Sequence, residues 1–204
     1  MARGKEAGLK QSILIIGGAR SGKSRFALRL AQKLGGPVLF VATATPGDQE
    51  MAQRIEQHQK ERPSIWRTLE TTTHIGSQIE QKIGNAQVVV VDCITLLVGN
   101  IFGKYNGQVL KQIKESSLEQ ELIAELGELT ECMEKVSATF IIVSNEVGCG
   151  LVPTSRVGRF YRDLLGRANQ ILAGHADEVY LMVAGLPTKI IPSKISETGG
   201  NFIS

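Results

Sequence analysis

Four consecutive valines, Val88 to Val91, run straight into Asp92. Neighbouring side chains on a strand point to opposite faces, so an unbroken β-branched run has no polar face for water and must be covered on both sides. Four more runs share this length and character, at residues 12–16, 37–43, 139–144 and 177–183. Between them, apolar residues recur at helical spacing over residues 23–34, 48–61, 118–135 and 156–173. Strands that are apolar on both faces and separated by helices predict a mostly parallel sheet, joined by right-handed crossovers and layered between helices. The expected fold class is three-layer α/β/α.

A chain of 204 residues, 42% hydrophobic and 21% charged, has the size and mix of one globular domain. We expect that domain over residues 11–192, between an N-terminal extension, 1–10, and a tail, 193–204. Residues 99–107 and 194–204 hold most of the turn formers and are the segments expected to move. Part of the net charge of +3 sits in the first ten residues, where Arg3, Lys5 and Lys10 outnumber Glu6. The near-neutral remainder argues against nucleic acid or an acidic membrane as partner. Three widely spaced cysteines without a C-x-x-C pair suggest neither a disulfide framework nor a zinc site. The apolar runs are strand-length, far short of the roughly 20 residues that span a bilayer. The first ten residues lack the character of a signal peptide. A soluble protein of the cytoplasm is the expectation.

Residues Gly17, Gly18, Ala19, Arg20, Ser21, Gly22, Lys23 and Ser24 match G-x-x-x-x-G-K-[ST] between an apolar strand and a helical run. Glycines there let successive backbone N–H groups turn toward phosphate oxygens, and the following helix adds its positive end. Lys23 supplies an ammonium to the β and γ phosphates, and Ser24 a hydroxyl to Mg²⁺. Asp92 ends the valine strand at the edge where parallel α/β sheets bind ligands, so its carboxylate is the second candidate for Mg²⁺. Taken with the predicted elements, this motif narrows the fold class to a P-loop NTPase. A kinase, an ATPase motor and a nucleotide-controlled switch all use such a cradle.

One of only three histidines, His58, stands four residues from both Arg54 and Arg62. On a helix the three form a column, which Pro63 ends at or just before Arg62. Two flanking cations disfavour a third positive charge, an arrangement suited to an uncharged, nucleophilic imidazole with phosphate-binding neighbours. Gln57, Gln59, Lys60 and Glu61 are polar as well, so the spacing alone favours a plain solvated helix face. His74 and His175 are expected to be surface or capping residues.

The chain resembles the bifunctional adenosylcobinamide kinase/adenosylcobinamide-phosphate guanylyltransferases of cobalamin biosynthesis over nearly its whole length. The resemblance rests on GGARSGKS, RIEQHQKERPSIWRTLE, an acid-ended strand followed by CITLLVGN, and the long stretch that starts at Asn145-Glu146-Val147-Gly148 and Val152-Pro153. It implies phosphorylation of the aminopropanol hydroxyl of adenosylcobinamide by ATP or GTP. It also implies transfer of GMP from GTP to adenosylcobinamide phosphate, with His58 as the residue guanylylated. Nucleotide contacts are implied for Thr43, Gln59, Lys60, Glu61, Arg62, Glu70 and Asp92, as is a homotrimer with its active site near a subunit boundary. Relatives carry two adjacent histidines where this chain has Gln57 and His58. The alternatives are a monofunctional P-loop kinase for another small alcohol and a nucleotide-dependent switch or ATPase module with a protein partner.

Overall fold

The computed structural model describes residues 10–44, 49–105 and 115–190. Among them seven strands form one sheet: β1 (Ser12–Gly17), β2 (Val38–Ala42), β3 (Arg67–Glu70), β4 (Val88–Asp92), β5 (Thr139–Val143), β6 (Glu178–Val183) and β7 (Leu186–Ile190). Six helices accompany them: α1 (Lys23–Leu34), α2 (Gln49–Lys60), α3 (Ile75–Lys82), α4 (Ile94–Gly103), α5 (Glu115–Lys135) and α6 (Arg156–His175). Strand order is β3-β2-β4-β5-β1-β6-β7. Every pairing is parallel except β6 with β7. This is the expected α/β architecture, and the sequence motif makes it a P-loop fold.

The valine run has the predicted explanation. Val89 and Val91 enter a core shared with α3, α4, α5 and α6, while Val88 and Val90 enter a second core under α1. The central strands repeat this division, with Phe140 and Ile142 in the first core and Ile141 and Val143 in the second. At roughly 25 cal/mol per Å² of apolar surface, burial on both faces makes β4 and β5 the stiffest part of the molecule and anchors whatever projects from their ends.

Four elements lay outside the sequence expectation. Strand β3 is an edge strand with one half-buried side chain, Leu69, and β7 is exposed throughout, so neither carries an apolar pattern. Pro187 fits β7 because an edge strand tolerates a missing donor. Helix α3 is only eight residues long. Helix α4 corrects the expectation of a mobile segment over residues 99–107: Gly99 to Gly103 are helical, because Ile94, Leu97, Val98, Ile101 and Phe102 recur at helical spacing and are buried. The rest of that segment past Tyr105, and the tail 194–204, lie outside the described residues. Helix α6 runs on to His175, past the predicted end at Ala173.

Candidate active site at the carboxyl edge of the sheet

Because β1 to β6 are parallel, the loops after β1, β2, β3, β4 and β5 emerge on one edge. The loop after β1 is the glycine-rich turn. Gly17 sits at φ 153 with Met182 O only 2.6 Å from where a Cβ would stand, and Gly22, the cap of α1, sits at φ 93. Side chains are excluded from both positions, and the backbone curls into the N-terminus of α1, which carries the positive end of the helix dipole. Gly185, in the β6–β7 turn, braces the cradle from outside by donating its N–H to Ser21 O at 2.9 Å. Ala19 and Arg20 form its exposed tip, with Arg20 at φ 57.

Lys23 begins α1, and its ammonium lies inside the turn, 2.7 Å from Gly18 O, with the residue only 7% exposed. Burial lowers its pKa, against the raising influence of Cys93 and Asp92. Asp92, at the end of β4, is half-buried. Burial raises its pKa, countered by a hydrogen bond from Ser24 and by the charges of His58, Arg62 and Lys23. One carboxylate therefore responds to the cradle lysine, the proposed metal-binding serine, and both residues singled out near the end of α2.

Helix α2 ends at Lys60, two residues before Arg62. The arginine consequently leaves the predicted column, since the chain turns at Pro63 before it can complete another helical turn. Its guanidinium lies 3.8 Å from the Phe40 ring centroid, and its Nε is buried without a partner. Burial lowers the Arg62 pKa, against the raising influence of Asp92 and Glu70. Arg54's side chain is not among those described. His58 is exposed in the last turn of α2, as are Gln59 and Lys60, and Glu61 just beyond; Lys60 pairs with Glu56 at 2.7 Å. No contact ties Gln59, Lys60 or Glu61 to the cradle among the described residues.

Thr43 is fully buried, and its hydroxyl is already engaged. It donates to Cys93 O and accepts from Cys93 N, each at 2.8 Å, while Asn100 Nδ2 donates to Thr43 O at 2.9 Å. This clamp holds the chain just after Asp92. Cys93 is no rival nucleophile, because burial first, then Asp92, pushes its thiol up to about 12. His74 and His175 lie on the surface as expected. His74 stands at the N-cap of α3 without capping it and pairs with Glu128 at 3.0 Å, and His175 Nδ1 faces Ile171 O at 2.9 Å.

Sequence reasoning had assigned no role to Asn100, Gly185, Thr95 or Glu146. Thr95 Oγ1 accepts from Asn145 N at 2.9 Å, and Glu146 N donates to Gly17 O at 2.9 Å, so the loop after β5 is stitched to both α4 and the cradle. Only the quoted motif around Asn145 hinted at this.

Ser24 and Asp92 offer two hard oxygen donors side by side. Among the described residues no group of three His, Cys, Asp or Glu side chains could form a dedicated metal cage. Two protein oxygens completed by phosphate and water suit Mg²⁺, which keeps much of its hydration.

A glycine-rich turn feeding a helix N-terminus, beside an acid-ended strand on a mainly parallel sheet, defines a P-loop nucleotide-binding protein. The match to known proteins is closer than that class. Residues 13–190 fit the model of the family described as cobinamide kinase / cobinamide phosphate guanyltransferase, and the chain belongs to that family. It is 42% identical over 181 residues to the bifunctional adenosylcobalamin biosynthesis protein CobU of Escherichia coli (strain K12), covering 87% of this chain and 98% of the relative. The CobU protein of Salmonella typhimurium is 39% identical over 179 residues, with coverages of 87% and 98%. The CobP protein of Pseudomonas aeruginosa is 38% identical over 174 residues, with coverages of 85% and 94%. No helix among the described residues is long and apolar enough to cross a membrane.

Proposed function

We propose that this enzyme phosphorylates the aminopropanol hydroxyl of adenosylcobinamide with a nucleoside triphosphate, then converts adenosylcobinamide phosphate to adenosylcobinamide-GDP through a guanylylated His58. The observation that carries this reading is geometric. Just past His58 the chain turns at Pro63 and sets Arg62 over the Phe40 ring of β2, the strand paired with β4 and its Asp92, with the Arg62 Nε left without a partner.

In the first reaction the N–H groups of residues 17–24 and the Lys23 ammonium hold the triphosphate in line for attack by the substrate hydroxyl, and positioning is the main need. Ser24 and Asp92 would hold Mg²⁺, which would supply neutralisation of the phosphate charge. In the second, His58 attacks the α-phosphorus of GTP, forming an N–P bond as the bond to pyrophosphate breaks. Arg62, with an unpartnered Nε, is available to bind the α-phosphate oxygens. The phosphate of the corrinoid then displaces the imidazole. Splitting the transfer keeps the activated GMP on the protein until the acceptor arrives. Glu70 and residues 59–61 complete the nucleotide site in this reading, and Thr43 serves it by fixing Cys93. A homotrimer working in the cytoplasm belongs to the same proposal, supported by the apolar side chains of Val183 and Leu186 exposed on the β6–β7 hairpin.

The test is incubation with Mg²⁺ and α-labelled GTP, followed by denaturation. Label is expected to remain on the protein, to be acid-labile as a phosphoramidate, and to vanish in His58→Ala while adenosylcobinamide is still phosphorylated. Phosphorylation without retained label would leave a monofunctional kinase.

A further inference from the structure

The Asn145-Glu146-Val147-Gly148 motif is not used by either step as described, yet it occupies a loop hydrogen-bonded to the phosphate cradle. Strand β5 pairs directly with β1, and Glu146, three residues past the end of β5, is pinned to the cradle by its N–H bond to Gly17 O. Its carboxylate is held by one oxygen only. Gly148 N donates to Oε1 at 2.5 Å, and the missing side chain at Gly148 leaves that oxygen room to approach. No other hydrogen bond or ion pair to this carboxylate occurs among the described residues, and the residue is half-buried.

The other carboxylates at this edge are poorly placed to receive a proton from an attacking hydroxyl. Asp92 is already engaged by the hydrogen bond from Ser24 and by the neighbouring charges of Arg62 and Lys23, which suits a metal-binding carboxylate rather than a free base. Glu70 is four strands from β1, roughly 19 Å at the usual strand spacing. We propose that Glu146 is the general base of the kinase step. It takes the proton of the acceptor alcohol on Oε2 as the alcohol oxygen bonds to the γ-phosphorus. The bond from that phosphorus to the β,γ-bridging oxygen breaks, the nucleoside diphosphate leaves with the electron pair, and the carboxylic acid then returns its proton to water. The Gly148 N–H fixes Oε1 and so directs Oε2. Farther along the same loop, Leu151 and Val152 are 96% and 63% exposed, giving a large, partly apolar alcohol something to rest on beside the carboxylate.

This inference rests on the kinase reading above. The experiment measures adenosylcobinamide phosphorylation and His58 labelling in wild type, Glu146→Gln and Glu146→Asp. Glutamine keeps an acceptor for Gly148 N–H but cannot take the proton, so phosphorylation turnover should fall about 10²- to 10⁴-fold with the nucleotide KM little changed. Label retention on His58 should persist, and Glu146→Asp should recover part of the turnover. A Glu146→Gln enzyme within threefold of wild-type phosphorylation would overturn the role. So would equal loss of phosphorylation and labelling, which marks a structural defect. Absence of phosphorylation in wild type itself would sink the kinase reading and this role with it.

Discussion

Thr43 shows how one buried hydroxyl can fix the chain beside a site. Both hydrogen bonds of its side chain go to the backbone of Cys93, on the far side of the strand junction that presents Asp92. Thr43→Val keeps the shape but strands a buried N–H and C=O. Leaving such a group unpaired costs about 1–3 kcal/mol, so we expect roughly 2 kcal/mol of lost stability by denaturant titration, and a loss below about 0.5 kcal/mol would refute the clamp. Among the site residues, the cradle from Gly17 to Ser24 and Asp92 were legible in the sequence, because fixed spacing and a preceding apolar run define them. The Thr43 clamp was not, since its partner is 50 positions away and a backbone group has no sequence signature. Arg62 was legible as a cation but not as a residue turned over Phe40, because the column argument needed the helix to continue two residues further than Pro63 permits.

Two helices make predictions at the scale of the element. Helix α3 is docked on α5 by a small acidic cluster: Glu125 Oε1 accepts from Ile75 N at 2.8 Å, and Glu128 takes His74 and Ser77. Gly76 lets the two backbones approach, for a Cβ there would meet Glu128 O at 2.1 Å. The hydrogen bond and charge of Glu128, with Glu125 adding and Lys104 opposing, raise the pKa of His74 above the ordinary imidazole value. A raised folded-state value means the imidazolium form favours folding. That contribution is complete below the unfolded pKa and lost as pH climbs through the folded one. His74→Gln should therefore lower the melting temperature at pH 6 and differ less from wild type at pH 8, and a pH-independent gap would contradict the pairing. Helix α2 differs in kind, because none of its described side chains is buried. Its amides should exchange faster than those of β4 and gain protection when GTP binds; unchanged exchange over Gln49–Lys60 would remove the case for a helix that repositions His58. The sequence revealed α2 through its period and its proline. Helix α3, a single short amphipathic segment, was missed for want of length.

At the scale of the whole molecule, the sheet concentrates its polar discomfort at one edge. Among the described residues the buried side-chain atoms without partners are Ser21 Oγ, Arg62 Nε, Ser144 Oγ and Asn169 Oδ1. They lie in the cradle, after α2, after β5, and on the α6 residue that holds Asn145 O. The parallel order of the central strands was legible from their two-sided apolar runs, whereas the edge strands β3 and β7, which bury little, were not. Function and stability should oppose each other at this edge, and Lys23 is where the conflict is measurable. Its ammonium bonds Gly18 O, and burial lowers its pKa against the opposing influence of Cys93 and Asp92, so the charged form is disfavoured by folding. Lys23→Met keeps the apolar stem and deletes the charge, so the ligand-free melting temperature should stay level or rise. Saturation with Mg²⁺ and GTP at about 100 times Kd should stabilise wild type by about 2.7 kcal/mol, a shift of roughly 5–11 °C for a chain of this size. In Lys23→Met that shift should disappear, since no other described cation lies inside the turn. A variant that melts well below wild type without ligand, or that keeps the full shift with it, would show that Lys23 is a structural residue rather than the phosphate ligand.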